Sequence, residues 1–121
     1  MNLRTLKLAM MALAMPSMAM AGQCGYEYCW GAVGIGPNGA WGFSWGQYSE
    51  QDAVNALQSE CEWDCNNVKT FYNTCGAMAE GNQGNWGFGW GNSRGLAEDN
   101  AIGYCYQNGG GCQIKVWSCS P

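Results

Sequence analysis

Eight cysteines and seven tryptophans are the side chains of this sequence whose chemistry stands out, and histidine is absent. Without histidine the chain lacks the usual general base near neutral pH and the commonest zinc ligand. Nine acidic residues remain, so a carboxylate-dependent hydrolase stays open as one function. No residue pattern indicates a catalytic centre, and we expect neither a cofactor nor a bound metal.

The charge balance excludes one class of partner. The chain has five basic and nine acidic residues, which gives a formal charge of −4. A protein that binds nucleic acid needs a basic surface to displace the counterions of the phosphate backbone. We therefore expect no nucleic-acid partner.

Residues 1–21 have the pattern of a secretory signal peptide. Arg4 and Lys7 form a positive start, Leu8–Ala14 is apolar, and Ala19-Met20-Ala21 fits a cleavage site before Gly22. The apolar stretch is shorter than the ~20 residues needed to cross a bilayer. We expect a single mature domain, residues 22–121, in the periplasm or outside the cell, with no membrane attachment after cleavage.

A duplicated aromatic motif divides the mature chain into two similar parts. The segment Trp41-Gly42-Phe43-Ser44-Trp45-Gly46 recurs as Trp86-Gly87-Phe88-Gly89-Trp90-Gly91. A Gly-Ala pair precedes each copy, and an Ala-containing segment with two cysteines follows each copy. A period of about 45 residues is typical of tandem supersecondary units that share one core. We interpret residues 30–74 and 75–119 as two repeats.

Each repeat is predicted to contain two strands, a helix and a third strand. Ser49 precedes an acidic first turn and resembles a helix N-cap, and Ala97, Ala101 and Cys105 recur at helical spacing in the second repeat. The predicted strands cover residues 30–36, 41–46, 67–72, 75–80, 86–91 and 112–118. The fold class that follows is α+β, a small disulfide-rich domain of two tandem β-β-α-β repeats, with one antiparallel sheet and two helices on its aromatic face.

Eight cysteines on an exported chain favour disulfides. If the repeats are equivalent, Cys61–Cys65 and Cys105–Cys112 each join a helix to the next strand. Cys75 and Cys119 lie at strand ends, where a bridge between them is expected to tie the halves together. The remaining pair is Cys24–Cys29.

Alternate residues of a strand share a face, so the large aromatic residues of each motif point to one side. We expect Trp41, Phe43 and Trp45, with their counterparts in the second repeat, to form a core beneath the Ala-rich helices. The alternative is an exposed platform for ligand binding. The tryptophans of that platform would be Trp41, Trp45, Trp86 and Trp90.

One acidic segment has the spacing of calcium ligands without the rest of the motif. Glu62-x-Asp64-x-Asn66 supplies oxygen ligands at the first three positions. The sixth position is Asn67 rather than glycine, and the twelfth is Asn73 rather than glutamate. We interpret the acidic residues as a solvated face that attracts a basic partner.

The doubled Gly-Ala … Trp-Gly-x-x-Trp-Gly … Cys … Cys pattern resembles the secreted bacterial family catalogued as domain of unknown function 4189. The resemblance covers roughly Trp30 to Cys119. It implies a small exported, cysteine-paired domain without an assigned activity, and it transfers no catalytic residue.

The small size, the cross-linking and the acidic charge favour a non-enzymatic binding protein. Its expected partner is an unidentified protein, which it would bind in the manner of an inhibitor, or a component of the cell envelope. The alternatives are a cell-wall or carbohydrate-binding module with exposed tryptophans, and the hydrolase named above.

The leader prediction can be tested on exported protein. We expect mass spectrometry of the mature chain to find Gly22 at its N-terminus, because small residues at positions 19 and 21 direct the cut there. A mature chain that retains residues 1–21 would contradict this prediction.

Overall fold

The computed structural model describes residues 22–121. The predicted signal peptide, residues 1–21, lies outside the described residues. Within the described part of the chain, no helix is both long enough and apolar enough to cross a membrane.

The same order of elements, β-β-α-β, occurs twice along the chain, as predicted. The first unit contains β1 (Trp30–Ile35), β2 (Trp41–Gln47), α1 (Glu50–Glu60) and β3 (Asn67–Tyr72). The second unit contains β4 (Cys75–Glu80), β5 (Trp86–Gly91), α2 (Arg94–Tyr106) and β6 (Gln113–Cys119). The predicted α+β class is therefore confirmed.

Both helices begin at a serine that caps the first turn. The Ser49 hydroxyl accepts a hydrogen bond from the backbone N–H of Asp52 at 3.1 Å, and the Ser93 hydroxyl accepts one from Leu96 at 3.2 Å. Each cap satisfies a backbone donor that the helix itself leaves free. The two helices therefore start at equivalent places after β2 and β5.

The strands form two antiparallel sheets rather than the single sheet expected from the sequence. Their orders are β2-β1-β3 and β5-β4-β6. In each unit the third strand returns to the free edge of the first strand, so each unit completes a sheet of its own. The prediction of one continuous sheet was wrong because the apolar faces of the two sheets pack against each other and no described strand of one unit pairs with a strand of the other.

The two sheets pack face to face around a shared apolar core. Val33 and Ile35 of β1 lie with Met78 of β4, and all three are almost completely buried. Phe71 and Val116 complete this cluster. The partly buried aromatics packed against it are Phe43, Trp86 and Phe88. The aromatic residues of β2 and β5, which alternate with the glycines, therefore face the opposing sheet and not a helix.

The helices lie on the glycine side of each sheet, which overturns the prediction that they cover the aromatic face. A Cβ atom at Gly42 would lie 2.8 Å from the carbonyl oxygen of Leu57 in α1. At Gly87 and Gly89, a Cβ atom would overlap the backbone of α2. The missing side chains let each helix approach the sheet backbone closely. The result is four layers in the order helix, sheet, sheet, helix.

All eight cysteines are paired, and the pairs are the four predicted ones. The expected role of one bridge was wrong. Cys75 and Cys119 are register partners on β4 and β6, so their bridge closes the second sheet and does not tie the two halves together. Four disulfides are typical of an oxidising, exported environment.

Serine hydroxyl groups connect the two halves near the chain terminus. The Ser118 hydroxyl donates to the carbonyl oxygen of Ser44 at 2.9 Å. The buried Ser120 hydroxyl donates to the carbonyl of Cys29 at 2.8 Å and accepts from the N–H of Gly46 at 2.9 Å. These bonds and the shared core hold the sheets together.

Because α2 approaches the sheet so closely, adding one methyl group at Gly89 is expected to lower the stability of the protein strongly. We expect Gly89→Ala to lower the free energy of unfolding by about 3 kcal/mol, because the new Cβ overlaps the backbone at Ala97 and Ala101. Chemical unfolding with the disulfides intact measures the change.

The matched control is Gly103→Ala in α2, the helix that packs against Gly89. A Cβ atom there meets no heavy atom within 4 Å, so this change is expected to raise stability by roughly 0.5–1 kcal/mol. Equal stability of the Gly89→Ala protein and the unmodified protein would refute the close-approach interpretation.

Candidate aromatic binding groove

Trp41, Phe43 and Trp45 form a strip along the inter-sheet face of β2, which is an edge strand. Phe43 is half-buried against the shared core, whereas Trp41 and Trp45 are 49% and 62% exposed. The two tryptophans flank Phe43 on the same strand. The strip therefore combines a fixed centre with two accessible indole rings.

A groove of about 680 Å³ lies between this strip and the edge of the second sheet. Its other wall is the β6 segment 115–119, together with Pro121. The lining is mainly apolar, and Lys115 is the charged residue that it includes. Such a surface can bury apolar groups of a ligand and place one negative group beside a lysine.

Two aromatic rings of the strip lie nearly parallel to each other. The ring centroids of Trp41 and Phe43 are 6.3 Å apart, and the ring planes differ by 10°. Near-parallel rings on one strand present a surface on which a planar or extended group can stack.

The second copy of the motif has a different environment. The Lys69 ammonium lies 5.9 Å from the ring centroid of Trp86, which is half-buried. Trp90 is 60% exposed and borders a separate cavity beside β3. The four predicted ligand-binding tryptophans are therefore divided between two places. Trp41 and Trp45 share the groove beside β6, while Trp86 and Trp90 lie beside β3.

The position of Lys115 in the groove was not predicted from the sequence. The register of β4 and β6 shifts between the pairs Met78–Val116 and Ala79–Ile114, which leaves Lys115 as the extra residue of a bulge. A bulge interrupts alternation and reorients a side chain. In the sequence, the signal for this bulge was the weak alternation of apolar and polar residues along the last strand.

The acidic residues occupy accessible positions. All nine carboxylates of the chain are exposed or half-buried. Within residues 22–121, no group of three or more cysteine, aspartate or glutamate residues has the arrangement of a metal site. The Glu62–Asp64 segment lies inside the loop that the Cys61–Cys65 bridge closes.

The comparisons with known proteins identify relatives of the fold. The model of the family described as "Domain of unknown function (DUF4189)" matches residues 30–119. The NMR structure of Rv1813c from Mycobacterium tuberculosis is similar, with a TM-score of 0.59 and 31% sequence identity. That similarity covers 76% of this chain and 75% of the mycobacterial chain. No curated protein matches the chain.

The unequal environments of the two motifs can be measured by acrylamide quenching of tryptophan fluorescence. We expect Trp45→Phe to remove more of the readily quenched emission than Trp86→Phe, because Trp45 is exposed and Trp86 packs against the inter-sheet core. An equal loss in the two variants would mean that the motifs have equivalent surroundings.

Proposed function

The chain belongs to the DUF4189 family, and from that premise we propose that it is an exported protein-binding module. It acts in the periplasm or outside the cell and holds an extended apolar segment of a partner protein in the groove between β2 and β6. The proposed role is non-enzymatic. The strip of Trp41, Phe43 and Trp45 recognises the partner segment.

The exposure of Trp41 and Trp45 beside an apolar groove is the observation that carries the proposal. Large apolar side chains usually leave water during folding, and a contiguous exposed patch is typical of an interaction site. Tryptophan is enriched among the residues that dominate binding energy at protein interfaces. A partner that covers the strip removes both indole rings from water.

The backbone beside the groove favours an extended occupant. Within residues 22–121, β2 pairs with β1 alone and β6 pairs with β4 alone, so each has one edge that no other described strand occupies. Such edges accept an additional strand through main-chain hydrogen bonds, while neighbouring surfaces select its side chains. A peptide along β6 would place alternate side chains against the aromatic strip.

Charge and rigidity support the same role. Residues 22–121 contain three basic residues against nine acidic ones, a formal charge of −6. An acidic surface steers a basic partner toward the molecule. The four disulfides restrict the free protein, so less conformational entropy is lost on binding.

The near-parallel rings of Trp41 and Phe43 favour a second candidate, a carbohydrate-binding module of the cell wall. Aromatic platforms of this kind suit the apolar faces of sugar rings. Sugars also require several polar partners, whereas this groove is lined mainly by apolar groups with a lysine at one position. We therefore place this candidate second.

The proposal can be tested with peptides selected from a random display library on the oxidised protein. We expect the selected peptides to be rich in apolar residues and to lose at least about tenfold in affinity for the Trp41→Ala/Trp45→Ala protein, a change of about 1.4 kcal/mol. Isothermal titration calorimetry measures the affinities.

Trp63→Ala is the matched control, because Trp63 is 67% exposed and lies in the loop after α1. This variant should bind the peptides normally. Peptides that bind the double variant as tightly as the unmodified protein would exclude the groove. Retention on purified peptidoglycan that depends on Trp41 and Trp45, without peptide binding, would favour the carbohydrate module instead.

A further inference from the structure

A second cavity, of about 460 Å³, lies beside β3 and is separate from the proposed peptide groove. Trp30, Tyr72 and Trp90 contribute aromatic walls, and Glu50 contributes a carboxylate. We propose that this cavity binds an organic ammonium cation, either a lysine side chain of a partner or a quaternary ammonium headgroup. Four features of the cavity support this class of ligand.

The first feature is the aromatic wall. Trp30 and Tyr72 are register partners on β1 and β3, and their ring centroids are 5.0 Å apart at an interplanar angle of 56°. Tyr28 packs edge-on against Tyr72 at 4.9 Å and supports it from behind. The electron-rich faces of such rings attract cations, and several rings around one cavity are typical of ammonium recognition.

The second feature is the position of the carboxylate. Glu50 is the first residue of α1, and its Oε2 accepts a hydrogen bond from the Thr70 hydroxyl of β3. This bond fixes the carboxylate beside the aromatic wall. A fixed negative charge next to ring faces adds a direct attraction for a cation to that of the rings.

The third feature is the absence of a cationic partner for Glu50 within residues 22–121. Arg94 pairs with Glu98 and also stacks on Trp117, with its guanidinium carbon 4.0 Å from the ring centroid. Lys69 lies over Trp86, and Lys115 lines the groove beside β2. None of the three basic residues of the described chain forms an ion pair with Glu50, and its charge is free to act on a ligand.

The fourth feature is a hydroxyl group within the wall of the cavity. Thr74 lines it, and the Thr74 Oγ1 atom is buried without a hydrogen-bond partner among the described residues. A buried polar group without a partner costs free energy. An N–H group of a primary ammonium ligand, such as a lysine side chain, would remove that cost once a rotation of the Thr74 side chain turns this oxygen toward the cavity. A quaternary headgroup has no N–H to donate, so this feature applies to the lysine source alone.

The cavity can be probed by ¹H–¹⁵N NMR of the oxidised protein at constant ionic strength. The probes are n-butylammonium chloride as an analogue of the lysine side chain, tetramethylammonium chloride as an analogue of the quaternary headgroup, and neutral 1-butanol. We expect the indole N–H signals of Trp30 and Trp90 to shift and saturate with at least one ammonium salt, and to respond at least tenfold more weakly to 1-butanol.

Two glutamate variants on α1 test the role of charge. Glu50→Gln should weaken ammonium binding at least tenfold while keeping a side-chain acceptor for Thr70. Glu60→Gln, at the other end of the helix, should leave the affinity unchanged. Trp90→Leu should also weaken binding, and because Trp90 is largely exposed this variant is expected to fold.

The outcomes separate this site from the peptide groove. The Trp41→Ala/Trp45→Ala protein should bind the ammonium probes normally even if peptide binding is lost. Saturation by n-butylammonium alone would identify a lysine side chain as the ligand source, and saturation by tetramethylammonium alone would identify a quaternary headgroup. The proposal is overturned if neither salt shifts the two indole signals, if 1-butanol binds equally well, or if Glu50→Gln binds as tightly as the unmodified protein.

Discussion

The close approach of each helix to a glycine-lined sheet face is the constraint on which the rest of the structure depends. Gly42 lies against the backbone of α1, and Gly87 and Gly89 lie against that of α2. A larger side chain at these positions would separate helix and sheet and open voids around the small residues of the helix, such as Ala97 and Ala101. Since successive strand residues alternate between faces, the glycines of β2 and β5 also determine where the large aromatic residues lie.

The aromatic residues therefore point toward the opposing sheet, and the space there is limited. Phe43, Trp86 and Phe88 reach the core around Met78 and Val33. Trp41, Trp45 and Trp90 extend past this core and remain exposed. Trp41 and Trp45 line the candidate groove, and Trp90 forms one wall of the second cavity.

Several elements were predictable because they depend on short-range features. Ser49 and the following acidic turn indicated the start of α1, and the pairs Cys61–Cys65 and Cys105–Cys112 followed from comparing equivalent positions in the two units. The candidate sites were harder to predict. Lys115 enters the groove through a bulge, and Glu50 meets Thr70 across 20 positions of sequence. Neither a bulge nor a contact of that separation leaves a periodic pattern in the sequence.

By itself, the sequence determined the order of the elements, the pairing of the cysteines and the alternation of large and small residues on β2 and β5. These properties depend on neighbouring residues or on the comparison of the two motifs. Only the tertiary structure decided which layer each face contacts. Alternation shows that Trp41 and Gly42 point to opposite sides, but it does not show whether a helix or a second sheet lies on either side. The division into two sheets settled this, because it supplied an apolar surface for the aromatic residues and left the glycine faces to the helices.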